Sequence, residues 1–490
     1  MLDQPIRGAC RGFRAPSRRQ VLRAGALGSL GLALPELFRG RAAAADGASA
    51  TGFGRAKSCI LIFQWGGPSQ LDTWDPKPAA PSEIRGEFGT IATKVPGVRI
   101  AEHFPRLASR LDKLAVVRSM THDDSAHLST AHRLLTGHLA PTPKSDSAPP
   151  SPTAWPPLGA LVGRLRPSAG AIPSAVNMPW TVSHPAAPGG RAPGQHGGWL
   201  GKGFDPFRVD GDPNAAGFQV AGLGLPAGVT PERLGGRRAL LAGLGGHGPG
   251  ASLPGAGPEA WGGFQGKALD ALVSAEARGA FQIDRESAQD RDRYGRHIHG
   301  QCLLLARRLV EAGVGLVTVN WHDDGRNFWD THGDNFNRLK NDLMPPADQG
   351  FAALLDDLDG RGLLDETLVV WAGEFGRAPR ITAANAGREH WSRCYSVALA
   401  GGGIQGGQVH GASDRWAAYP SRDPVSPDDL GATILHALGI DPATEVTDAV
   451  GRPLRINNGS PLTTLFACPA DEFPPRPRSE GRPCAAESRP

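Results

Sequence analysis

The sequence predicts an α/β protein built on a mainly parallel, doubly wound sheet. Three observations carry this expectation. Short apolar runs alternate with segments of helical periodicity along the chain. Each apolar run has the length of a buried strand, and the first ends in the turn residues Gly66-Gly67-Pro68. Four polar clusters each follow such a run directly, and in open parallel sheets functional loops gather at the carboxyl ends of strands.

The elements can be justified in order. "SCILIFQW" (58–65) is an apolar run ending in Gly66-Gly67-Pro68, which reads as a buried strand and a turn. "FPRLASRLDK" (104–113) has helical spacing, and "LAVVRSM" (114–120) reads as a second strand. The stretch 117–138 then runs into a helix ending near Gly137. Residues 139–157 are rich in Pro and Ser and read as a loop. Residues 183–260 are dominated by Gly and Pro and read as an irregular insertion. Helices follow at 265–282 and 296–313, the second feeding a strand at 314–321. Residues 335–362 are helical with an interruption at Pro345-Pro346. Strands are expected at 366–373 and 393–401. A last helix spans 426–439, with Ser426 as N-cap, Pro427 in first position and Gly439 at its end.

Both ends of the chain read as something other than core. Arg18 and Arg19 precede an apolar segment around Leu27 to Leu34 and small residues at Ala42 to Ala45. This is the order of a twin-arginine export signal over residues 1–45, which predicts a periplasmic or other extracytoplasmic location. That segment holds eight Arg and two acidic residues, a net of +6; the whole chain is +4, so the remainder is −2. The basic balance belongs to the signal and gives no reason to expect nucleic-acid binding. No apolar run after the N-terminus is long enough to span a membrane. Residues 468–490 are rich in Pro and charge and read as a disordered tail. The five cysteines beyond the signal have no CxxC spacing, which argues against a zinc–cysteine site. Cys468 and Cys484 are the pair best placed for a disulfide.

The clusters carry the chemistry. Asp72 and Asp75 follow the first strand, where Gly66 and Gly67 would let a backbone or ligand approach closely. In the second cluster His127 and His132 are five apart, about 140° around a helix, so they do not share a face. Ser125, Ser129 and Thr130 sit near the start of that helix, where free amides and the dipole stabilise an oxyanion. Capping by Asp124 or Ser125 is the plainer alternative. The third cluster crowds His322, Asp323, Asp324, Asp330, His332 and Asp334 together after the 314–321 strand, a mixture suited to a divalent cation. The fourth places Glu374 between glycines, followed by Arg377, Arg388, Glu389 and His390. Arginines there could hold an anion bidentately, or Glu374 could simply be salt-bridged to one of them.

"GGPSQLDTWDPKP", "WDTHGDNF", "TLVVWAGEFGRAPRI", "GREHW" and "AGGGIQGGQVHGASD" together resemble the bacterial family called domain of unknown function 1501, over roughly residues 57–467. That family is similar to sulfatases and is placed near the alkaline phosphatase superfamily. The resemblance implies an α/β/α sandwich and, in catalytic relatives, metal-dependent hydrolysis of sulfate or phosphate esters. It implies a divalent ion (zinc, manganese, calcium or magnesium) held among Asp72, Asp330, His332, Glu374 and His390. "RLLTG" (133–137) resembles the end of the sulfatase nucleophile helix, and counting back puts His127 where a sulfatase has its modified cysteine or serine. Ser125, Ser129 and Thr130 are the neighbouring hydroxyls, and Arg377 or Arg388 would balance charge on the transferred group. Sulfatases have adjacent metal-binding aspartates after the first strand, where this chain has Gly66-Gly67. Two functions follow as expectations: an exported hydrolase of small-molecule or glycan esters, or a non-catalytic binding protein on the same fold.

Overall fold

The computed structural model describes residues 51–184, 191–223, 228–243, 270, 272, 274–321, 328–448 and 450–467. The export signal, the tail with Cys468 and Cys484, and the His322, Asp323 and Asp324 part of the third cluster lie outside the described residues.

The labelled elements, in chain order, are β1 (Ser58–Gln64), β2 (Leu114–Met120), α1 (His127–Thr136), α2 (Leu158–Leu165), β3 (Ala175–Met178), β4 (Phe207–Arg208), α3 (Ile298–Glu311), β5 (Leu316–Trp321), α4 (Met344–Gly360), β6 (Thr367–Ala372), β7 (Gly376–Arg377), β8 (His390–Trp391), β9 (Tyr395–Ala400), β10 (Gln408–His410) and α5 (Pro427–Ala437). Eight strands form the central sheet in the order β10-β2-β9-β6-β1-β5-β3-β4. Neighbours pair in parallel except at β9, which is antiparallel to both β2 and β6.

The apolar runs form strands because both faces of the sheet are covered, so every position of β1, β5 and β6 is buried. Alternate residues feed two separate cores. Ile60 and Ile62 of β1, Val317 and Val319 of β5, and Val369 and Trp371 of β6 join Leu303, Leu305, Leu354 and Leu358 of α3 and α4 on one face. Cys59, Leu61 and Phe63 of β1, with Leu368 and Val370 of β6, join Leu128, Leu161, Leu430 and Leu435 of α1, α2 and α5 on the other. The result is the expected sandwich, a mainly parallel sheet between two helical layers. Each of the large apolar side chains contributes about 1.5–3 kcal/mol on burial.

Local chemistry fixes the ends. The N-cap predicted at α5 is present and forms half of a capping box: Ser426 Oγ accepts from the Asp429 amide, and the Asp429 carboxylate accepts from the Ser426 amide. Gly137, left-handed at φ 71°, closes α1. The interruption expected at Pro345-Pro346 appears as a π turn at Leu339–Leu343, just before α4. Two prolines without amide hydrogens cannot bond back to the preceding turn, and the helix widens there.

Three expectations about elements needed correction. The helix over 104–113 is only a turn, Pro105–Ala108, followed by a 3-10 turn at Leu111–Lys113. The 183–260 insertion is not wholly irregular, since it supplies edge strand β4 and a helix at Pro231–Gly243. The helix expected over 265–282 is broken at Ser274, whose Oγ accepts from the Ala277 amide as the N-cap of a separate helix, Ala275–Ala280.

Candidate metal centre

Parallel pairing brings the carboxyl ends of β1, β5 and β6 to one edge of the sheet. The reversal of β9 matters here. The segment 373–394 leaves the sheet at the end of β6 and re-enters it at the start of the antiparallel β9, so both its ends lie at that same edge. Within it β7 and β8 pair antiparallel, with His390 opposite Arg377. Gly66 (φ 105°) and Gly67 (φ 78°) bend the chain after β1. A Cβ on Gly66 would collide with the Asp330 amide nitrogen, and one on Gly67 with the Phe375 ring. The close approach foreseen at these glycines is therefore made by the Trp329-Asp330 backbone and by Phe375.

Around Asp330 three histidines are arranged alike. His127, in the first position of α1, has Nδ1 2.6 Å from Glu374 Oε1. His332 Nδ1 is 2.7 Å from Glu389 Oε2, and His390 Nδ1 is 2.8 Å from the Ser125 carbonyl oxygen. Carboxylates and carbonyls only accept, so each Nδ1 carries a hydrogen and each Nε2 is left for a proton or a cation. All three Nε2 atoms turn to Asp330. They lie 3.5 Å (His127, to Oδ2), 3.1 Å (His332, to Oδ1) and 3.3 Å (His390, to Oδ1) away, and the Nε2 atoms of His332 and His390 are 2.8 Å apart. Two imidazole lone pairs at that distance repel unless a proton or a cation lies between them.

The electrostatics follow. Burial disfavours a charge on Asp330, but hydrogen bonds from His127, His332 and His390, and the Arg377 guanidinium, hold its carboxyl far below the ordinary range. Burial likewise opposes a charged His127, yet its bonds to Asp330 and Glu374 raise it to about 9. The bond to Asp330 raises His332, whereas burial leaves His390 lowered. Glu374 Oε1 takes the Gly66 amide as well as His127, while Glu374 Oε2 is buried with no hydrogen-bond partner among the described residues. Ligand atoms of His127, Asp330 and His390 lie within 4.8 Å of one another, a spacing that one divalent ion spans. Imidazoles oriented through Nδ1 by oxygen acceptors are the usual surroundings of such an ion. The residues fit a metal.

The sequence-derived residues divide into two groups. His127, Asp330, His332, Glu374 and His390 come together, with Arg377 behind Asp330 at 2.5 Å. Asp72 does not join them. It is fully buried and held by Arg388 through both oxygens (Nε 2.7 Å, Nη2 3.1 Å), by Asn335 at 3.1 Å and by Ser69 at 2.6 Å. Arg388 has no N–H to spare, because its others go to the carbonyls of Ala378, Pro379 and Ile84. Arg377 is also fully buried and bonds the carbonyls of Gly66, Gly67 and Arg388. Neither arginine head is turned to solvent, as holding a substrate anion would require.

The hydroxyls are also accounted for. Thr130 and Ser129 bond back to the Ala126 carbonyl at 2.6 and 3.4 Å. Ser125 is exposed, with its Oγ 3.1 Å from Ser392 Oγ, and its carbonyl is the one that orients His390. The N-cap of α1 is Ala126 and makes no side-chain cap; Asp124 instead accepts from the Ala126 amide and Asp146 from the Leu128 amide. His132 faces away, bonded to the His138 carbonyl. Sequence reasoning missed two neighbours. Trp65 stacks on His127 at 5.2 Å, and His184, at the start of the insertion, lies 5.5 Å from the same ring. Only the position of Trp65 at the end of the first strand signalled its place.

A family model described as "Protein of unknown function (DUF1501)" matches residues 56–466, and the chain belongs to that family. No curated protein matches it in sequence. Among solved structures, it is similar to the lipoteichoic acid synthase LtaP from Listeria monocytogenes (10% identity, 81% of this chain and 77% of that one, TM-score 0.37). It is also similar to the PsFucS1 sulfatase from Pseudoalteromonas sp. (11%, 81% and 69%, TM-score 0.36). A third is the phosphonate monoester hydrolase SpPMH from Silicibacter pomeroyi (12%, 85% and 78%, TM-score 0.35). At these identities and scores nothing about activity or ligand passes from them to this chain.

Proposed function

We propose that this protein is an exported, metal-dependent hydrolase of sulfate or phosphate esters. The observation that carries the reading is the common orientation of His127, His332 and His390, each with Nδ1 on an oxygen acceptor and Nε2 toward Asp330. These four residues would hold the ion, with Glu374 and Glu389 fixing two of the imidazoles. Nitrogen donors outnumber the carboxylate here, which favours zinc over manganese, calcium or magnesium. A divalent ion there would polarise an ester oxygen and activate a water or hydroxyl. The chain's own part is orientation: Glu374 and the Ser125 carbonyl lock two ring tautomers, and Trp65 and Phe375 wall the His127 ring from water. Of the three candidate hydroxyls, only Ser125 belongs to an exposed residue.

The test pairs elemental analysis of residues 46–490 with turnover of 4-nitrophenyl sulfate and phosphate. Bound metal with turnover lost on chelation and restored by metal is the expected result. His390→Ala should lower both metal content and turnover by more than about tenfold. A folded wild type that binds no metal and turns over neither ester would sink the proposal.

A second reading, a non-catalytic binding protein, is favoured by one observation: the Ser129 and Thr130 hydroxyls and both arginines are bound to the scaffold. Metal without turnover of any ester would select it.

Export is tested separately. Among the described residues no helix is long and apolar enough to cross a membrane. A reporter fused to residues 1–45 should leave the cytoplasm, and replacing Arg18 and Arg19 by Lys should retain it inside. Equal export of both fusions would remove the twin-arginine route.

A further inference from the structure

Among the described residues, the exposed large apolar side chains include two aromatics, Trp416 (42% exposed) and Tyr419 (52%), and both lie on one turn. That turn is built to hold its shape. The Asp414 amide bonds the Tyr419 carbonyl at 2.8 Å, and the Asp414 carboxylate accepts from the Trp416 and Ala418 amides, both at 2.9 Å. Ala417, fully buried at φ 52°, packs with Leu71, Ala80 and Ile84 beneath it.

The turn is also tied to the hairpin that carries the metal centre. Gln70 Nε2 donates to the Ala417 carbonyl at 2.9 Å and to the Arg377 carbonyl at 3.0 Å, while Gln70 Oε1 accepts from the Arg377 amide. The Trp391 indole donates to the Ala418 carbonyl at 2.7 Å, and its ring meets Tyr419 edge-on at 5.7 Å. Trp391 follows His390, and Arg377 bonds Asp330, so the turn is braced to both strands of β7–β8. Arg415 lies over the Trp416 ring at 4.5 Å.

Exposed aromatic rings on a rigid backbone are what stacking on a flat ligand needs, because little entropy is lost on binding. Two rings are too few for the core of a protein interface, which takes about 800 Å² from each partner. They suit one or two pyranose rings, whose apolar faces stack while their hydroxyls stay in water. Alternation along β8 puts Trp391 and His390 on opposite faces of the hairpin. A ligand reaching both the turn and the metal centre must therefore extend around its edge.

We infer that Trp416 and Tyr419 form a saccharide subsite beside the metal centre, with Arg415 placed for a sulfate or phosphate on the bound sugar. The inference rests on the ester-hydrolase reading for its substrate class, but its test reads binding. Titration of residues 46–490 with maltohexaose and with sulfated maltohexaose, monitored by calorimetry, should give measurable binding, tighter for the sulfated form. Trp416→Ala and Tyr419→Ala should each weaken it about tenfold. Arg415→Ala should remove only the preference for sulfate, and a preference that survives it would overturn that part of the assignment. Metal content of all three variants should stay at the wild-type level, since these side chains bond no member of the Asp330 cluster. No binding of either saccharide to the wild type, or equal binding to wild type and Trp416→Ala, overturns the subsite. Binding with no ester turnover keeps the subsite and sinks the hydrolase.

Discussion

Asp330→Asn is expected to empty the metal centre of an otherwise folded protein, and Asp330→Ala to empty it and destabilise the chain. The carboxylate is the point on which all three Nε2 atoms converge. Removing an outer partner of a metal site typically lowers affinity ten- to a hundredfold, so losing this charge should lower it by more than about a hundredfold. The two substitutions separate because of Arg377. Its guanidinium is fully buried and 2.5 Å from Asp330 Oδ1. Both substitutions remove the counter-charge, but the asparagine oxygen can still accept that hydrogen bond, whereas alanine leaves the buried cation with neither charge nor acceptor on that side, at a cost of about 3 kcal/mol. The lower end of the usual range applies, because Asp330 is 21% exposed and Arg377 keeps three carbonyl partners. Elemental analysis and urea unfolding of the two variants check this. Metal retained in Asp330→Asn would show that the carboxylate's charge is not needed to hold the ion.

The sandwich is legible in the sequence because buried strands must be apolar on both faces, and β1, β2, β5, β6 and β9 each read as such a run. Direction is not legible. A strand buried on both faces, such as Tyr395–Ala400, has the same pattern whichever way it runs, so its reversal has no signature. The short strands β3, β4 and β10 escape for a related reason, having too few residues to show a pattern. In the site, Asp330, His332, Glu374 and His390 can be read as polar residues placed just after strands. His127 is visible as one of the histidines of the second cluster, and the resemblance gives it a nucleophile position, but its place beside Asp330 is not legible. Helical spacing shows which residues share a face but not what lies across from it, and its partner Glu374 is 247 residues away. Asp72 misleads for the same reason. Its position after β1 is local, but its neutralising partner Arg388 lies 316 residues on.

Asp72→Ala should therefore be among the most destabilising single changes in the protein while leaving the metal in place. Both partners of the Asp72–Arg388 pair are completely buried. The pair itself adds little net stability, because the cost of desolvating two charges largely cancels their attraction. Losing one partner is different: the Arg388 guanidinium would remain inside with only the carbonyls of Ala378, Pro379 and Ile84, at a cost of about 3–5 kcal/mol. Arg388→Met should cost as much, by stranding Asp72 with Asn335 and Ser69. The double variant should then be less destabilised than the sum of the two, because neither charge is left alone. Denaturant unfolding of the three proteins measures that coupling. Elemental analysis of the folded fraction measures the rest, since Asp72 bonds no member of the Asp330 cluster. Metal lost from a folded Asp72→Ala protein would return Asp72 to the ligand set that the sequence suggested.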